Sequence, residues 1–127
     1  MRIFKTRMFS KWSKKNRISD SDIVRAVKEI EKGLFDADLG QKIIKKRIAR
    51  RGAGKSGGYR TILAYVSGKK AFFLYAFSKK EKDNINEKEK EALSILGKSL
   101  LAMNDLEIEK RLKNGSLVEI LEEKNEK

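Results

Sequence analysis

The chain has 127 residues, with 31 Lys/Arg against 18 Asp/Glu, a formal net charge of +13, and neither Cys nor His. This length makes one domain with one modest core, expected to span residues 1–127, its core over about 1–103 and a C-terminal extension over 104–127. The missing residue types exclude disulfides, thiolate chemistry and histidine as base or ligand, so no metal or organic cofactor is expected.

The charge is unevenly placed. Residues 1–80 hold 22 basic and 6 acidic side chains, whereas residues 81–127 hold 9 and 12. Between Leu39 and Lys80 there are twelve Lys/Arg and no Asp or Glu. Such a division implies a polyanion-facing half carried on a near-neutral scaffold. The opening MRIFKTRMF lacks the apolar core of a signal peptide, and no apolar run is long enough to span a bilayer, so a cytoplasmic protein is expected.

Residues 2–6 (RIFKT) read as a short strand with Ile3 and Lys5 on one face and Phe4 on the other. A short basic helix follows over 7–15, with Phe9 and Trp12 at helical spacing. Ser19-Asp20-Ser21-Asp22 is a strong helix start, supplying capping oxygens and acids for the positive end of the dipole. Ile23, Val24, Val27 and Ile30 then recur at helical steps until Gly33. Residues 34–40 read as a polar turn. Strands are expected over 43–50, with Ile44 and Ile48 in phase, and over 59–67 and 70–78, joined by a Ser67-Gly68 turn. The last of these is nearly all apolar and should lie inside the sheet. Leu93, Leu96, Leu100, Leu101 and Met103 mark an amphipathic helix covering it, followed by a short helix over 105–113 and an extended SLVEIL segment. The fold class is therefore α+β: a small antiparallel sheet of about four strands, packed by an N-terminal helical hairpin and C-terminal helices.

GAGKSGG at 52–58 invites a phosphate-loop reading and fails it. The Gly required five residues before Gly54 is Ala49, and the segment after Ser56 is a strand where a helix is needed. The loop is read as a basic arm, with Lys55 free to reach a phosphate. Arg60, inside an otherwise uncharged strand, is placed for bidentate phosphate contact; the alternative is a pair with Glu87 or Glu91. Lys79, Lys80 and Lys82 follow the central strand, and packing among like charges is expected to depress their pKa values and suit them to proton transfer, with Glu81 a weaker candidate. Phe4, Phe9, Trp12, Phe72, Phe73 and Phe77 are expected in the core. Tyr59, Tyr65 and Tyr75 are candidates for stacking on bases.

In order and motif (helical hairpin, KKRIAR, GKSGGYRT, AFFLYAF, SKKEKDNI), the chain resembles the RelE/ParE superfamily of bacterial toxins, and within it the RelE/HigB-like branch. The resemblance implies the toxin of a type II toxin–antitoxin module. It further implies a ribosome-dependent mRNA endonuclease, with a cognate antitoxin, the ribosome and mRNA as partners. Carried over residue by residue, it makes Arg60, Lys79, Lys80 and Lys82 the catalytic set, and Lys45, Lys46, Arg47, Arg50, Arg51 and Lys55 the RNA-binding set. Asn86 stands where the best-known members carry a tyrosine. A ParE-like inhibitor of DNA gyrase and a non-catalytic RNA binder remain as alternatives.

Overall fold

In the computed structural model, residues 1–49 and 58–121 are described. The elements in chain order are β1 (Arg2–Thr6), α1 (Arg7–Lys15), α2 (Asp20–Glu31), β2 (Ala37–Gly40), β3 (Ile43–Ile48), β4 (Tyr59–Val66), β5 (Lys70–Ser78), α3 (Glu87–Leu101), α4 (Asp105–Lys113) and β6 (Leu117–Ile120). The six strands form one sheet in the order β2-β3-β4-β5-β1-β6. β1 runs parallel to β5, and every other pairing is antiparallel. The α+β class stands, but the sheet is mixed and larger than the small antiparallel one expected.

Both added strands lie at sheet edges, where the hydrophobic alternation that advertises a strand is weak. β2 emerges from the segment read as a turn; its residues alternate between half-buried and exposed. It returns into β3 through Gly40, Gln41 and Lys42, all at positive φ. β6 pairs with β1, Ile3 opposite Ile120 and Thr6 opposite Leu117, and buries Leu117 and Ile120. The segment read as an extension thus supplies α4 and an edge strand.

Helix starts follow their capping chemistry. Ser19 and Asp22 form a capping box at α2, Asn86 and Glu89 at α3, and Asn104 and Glu107 at α4. Each box satisfies two otherwise orphaned backbone N–H groups. The Thr6 hydroxyl caps α1, accepting from the Phe9 N–H at 3.2 Å.

The sheet separates two cores. On one face α1 and α2 pack Phe9, Ile23, Val27 and Ile30 against Ile3, Ile44, Ile48, Leu63 and Phe73. On the other, α3 and α4 pack Leu100, Met103 and Ile108 against Phe4, Ile43, Ile62, Phe72, Leu74 and Phe77. Each large side chain so buried contributes about 1.5–3 kcal/mol of transfer free energy. Phe4, Phe9, Phe72, Phe73 and Phe77 are buried as expected, and Trp12 packs on Phe9 and Tyr59. Between the pairs Ile62–Tyr75 and Leu63–Phe73 the register shifts by one residue. This bulge turns both Leu74 and Tyr75 toward α3. Gly97 lets α3 approach the sheet closely: a Cβ there would stand 2.6 Å from Ile43 Cδ1 and 3.1 Å from Ala64 Cβ.

Candidate nucleic-acid interface

Alternation along β3 sorts its cations. Ile44, Lys46 and Ile48 share the α2 face, whereas Lys45 and Arg47 lie on the α3 face. Lys46 is buried, its Nζ donating to the Leu34 carbonyl at 2.9 Å and pairing with Glu29 at 2.7 Å. Lys46, expected in the RNA-binding set, is thus engaged within the scaffold. Burying such a group is costly without partners, and here the partners tie β3 to α2. Lys5 does the same from β1, paired with Asp20 at 2.9 Å. Arg50, Arg51 and Lys55 lie outside the described residues.

On the α3 face, register aligns two rows. Arg47 stands opposite Arg60, and Arg60 opposite Phe77. The next row is Lys45, Ile62 and Tyr75. With side chains on one face repeating every second residue, the rows stand about 7 Å apart. Two guanidinium groups side by side form a strongly positive patch fixed on a rigid sheet. The Arg60 side chain is only 15% exposed, and its Nε lies 3.9 Å from the Asp36 carboxylate. Its partner is thus Asp36, just before β2, and not the Glu87 or Glu91 of the alternative reading. Arg60 Nη1 is buried and has no hydrogen-bond partner among the described residues. A buried guanidinium donor without a partner carries an uncompensated desolvation cost.

Lys79 and Lys80 are exposed in the turn after β5. Lys82 turns back toward the sheet. Its Nζ pairs with Glu89, donates to the Tyr75 hydroxyl at 3.3 Å and sits 5.6 Å from the Tyr75 ring centroid. The Glu89 hydrogen bond, and after it that of Tyr75, raises the Lys82 pKa. The expectation of a depressed value is overturned for this lysine, because its nearest charged neighbour is a carboxylate and not another cation. Glu81 accepts from the Ser78 N–H at 3.0 Å and the Ser78 hydroxyl at 3.1 Å, which lowers its pKa and makes it a poorer base.

Of the candidate stacking tyrosines, Tyr59 is buried edge-on against Trp12 with ring centroids 5.0 Å apart, and belongs to the core. Tyr65 faces α2 and donates to Glu31, which also receives Ser67 and the Gly68 N–H. Tyr75 alone shares the face with Arg60. Asn86 is the α3 cap, its side chain accepting from the Glu89 N–H at 2.8 Å. Glu89 and Asp36 are the site residues that sequence reasoning did not single out. The spacing Asn86-x-x-Glu89 was legible as a capping box, but its second role, holding Lys82, depends on where α3 lands.

Fold and face together define a small α+β protein with a cationic sheet surface suited to a polyanion. The family model described as the RelE toxin of the RelE/RelB toxin–antitoxin system matches residues 1–120, and the chain belongs to that family. It is a toxin of a toxin–antitoxin system, with an antitoxin as partner. A comparison with curated proteins finds no match. No helix among the described residues is long and apolar enough to cross a membrane.

Proposed function

We propose that this toxin, of the RelE/HigB-like kind, is a ribosome-dependent mRNA endonuclease acting in the cytoplasm. The observation that carries the reading is Arg60: half-buried on β4 opposite Arg47, with Nη1 lacking a partner among the described residues. In the reaction the 2′-oxygen bonds to the adjacent phosphorus as the bond to the 5′-oxygen breaks. The products are a 2′,3′-cyclic phosphate and a free 5′-hydroxyl. The 2′-hydroxyl proton leaves to a base, and the 5′-oxygen gains one. The phosphorane between them carries extra negative charge, which a fixed guanidinium stabilises more than the ground state.

Lys82, with a raised pKa, is a standing cation and a donor toward the leaving oxygen. Lys79 and Lys80 remain the candidates for proton removal. Lys45 and Arg47 track the backbone, and the positioning that this modest proton machinery lacks is assigned to the ribosome. Free RNA should therefore be cut little.

The test is induced expression in growing bacteria, wild type against Arg60→Ala, with mapping of new RNA 5′ ends. Growth arrest with cuts inside translated frames, both lost in the variant, supports the proposal. Arrest with DNA breaks and no such cuts points to a gyrase inhibitor. RNA binding without arrest points to a non-catalytic binder.

A further inference from the structure

Between β5 and α3 stand three lysines, Lys79, Lys80 and Lys82, and the fold fixes one of them. Lys79 and Lys80 are exposed, whereas Lys82 is held by groups from two other elements. Its Nζ pairs with Glu89, in the first turn of α3, and donates to the Tyr75 hydroxyl of β5 at 3.3 Å. Glu89 divides its carboxylate between two tasks. Oε1 accepts from the Asn86 N–H at 2.9 Å and completes the α3 capping box, while Oε2 holds Lys82 and accepts from the Tyr75 hydroxyl at 3.4 Å. With side chains 31% and 28% exposed, the ion pair itself adds little stability. Its effect falls on the lysine. An ammonium has three donors, two of which are used here, so one remains on the face that carries Arg60.

We propose that Glu89 is a positioning residue for RNA cleavage: it holds the Lys82 ammonium so that the remaining N–H meets the leaving 5′-oxygen. The inference rests on the RNA-cleavage reading above. As the bond from phosphorus to the 5′-oxygen breaks, that oxygen takes a proton from Lys82, which is left neutral and regains a proton from water. Glu89 acts only through the lysine. A lysine side chain is rich in rotamers, and pinning it before the substrate arrives removes that ordering cost from the chemical step. The capping box supplies the rigidity, because Glu89 is itself held by the Asn86 N–H at the start of α3.

The experiment measures single-turnover cleavage of mRNA on programmed ribosomes by the purified toxin. One mRNA is ordinary; the other carries sulfur in place of the bridging 5′-oxygen at the mapped cut site. A capping box accepts glutamate or glutamine, so Glu89→Gln keeps the α3 cap but removes the charge that holds Lys82. On the ordinary mRNA this variant should be about 10- to 100-fold slower at saturation. Its half-saturating concentration should be no higher than wild type, since a negative charge has left a polyanion-facing surface. Lys82→Ala should lose about 100-fold, and adding Glu89→Gln to it should change nothing further. A thiol, with a pKa of about 8.5 against about 15.7 for water, leaves without taking a proton. The sulfur mRNA should therefore bring both variants within about twofold of wild type, while Arg60→Ala stays slow on it. No loss in Glu89→Gln, equal losses on both mRNAs, or additive losses in the double variant would overturn the role of Glu89 and leave the RNA-cleavage reading standing. Failure of the wild type to cut either mRNA would overturn both.

Discussion

The two faces of the sheet use the same residue types to opposite ends. On the α2 face Lys5 and Lys46 are buried, each with its ammonium against a carboxylate, so their charges tie helices to strands. On the α3 face Lys45, Arg47 and Arg60 stand in two rows, and Arg60 keeps a buried donor with no partner among the described residues. Lys45, Lys46 and Arg47 are consecutive, yet the middle one belongs to the scaffold and its neighbours to the surface. A cation's role here is set by the pleat and not by its membership of a basic run.

The sharpest way to break this comparison is Arg60→Ala. It should lower the rate of RNA cleavage by about 100- to 1,000-fold, as for the loss of one well-aimed transition-state donor, with the fold intact and only the modest loss of stability expected when Asp36 loses its partner. Lys46→Ala should do the reverse. Leaving Glu29, itself part-exposed, without its buried partner should cost about 2 kcal/mol of stability, read in denaturant titration, with the salt dependence of RNA binding unchanged. Arg47→Ala should leave stability nearly intact but reduce the slope of log affinity against log salt by about 0.7, the share of one single-stranded phosphate. If Lys46→Ala changed the slope and Arg47→Ala did not, the assignment of faces would be wrong.

Gly97→Val tests the scaffold alone. Forcing side-chain volume between α3 and Ile43 should cost about 2 kcal/mol with little effect on RNA affinity beyond it. The smallest effect concerns pH. The Tyr65 hydrogen bond, with those of Ser67 and Gly68, holds the Glu31 pKa below its ordinary value. A depressed carboxyl contributes stability that is full above its unfolded pKa and is lost as pH falls through the folded one. Thermal stability should therefore drop below the ordinary carboxylate range, and Glu31→Gln should flatten that limb.

Much of this protein was legible in the linear chain. The capping run Ser19–Asp22 placed the start of α2. Apolar content placed β5 inside the sheet, and the acid-free run identified the half that carries the cationic face. The alternation of Ile44, Lys46 and Ile48 even held the information that Lys46 points inward, although a basic run of three masks it. Local pattern suffices for such features because propensity, capping and side-chain period act over a few residues. The tertiary structure alone decided that β1 pairs in parallel with β5, that β6 closes the far edge, and that Arg60 meets Asp36 while Lys82 meets Glu89. Edge strands leave a weak pattern. Cross-element ion pairs depend on where α3 and the chain before β2 come to rest, which is settled by packing across the whole sheet and not by any one segment.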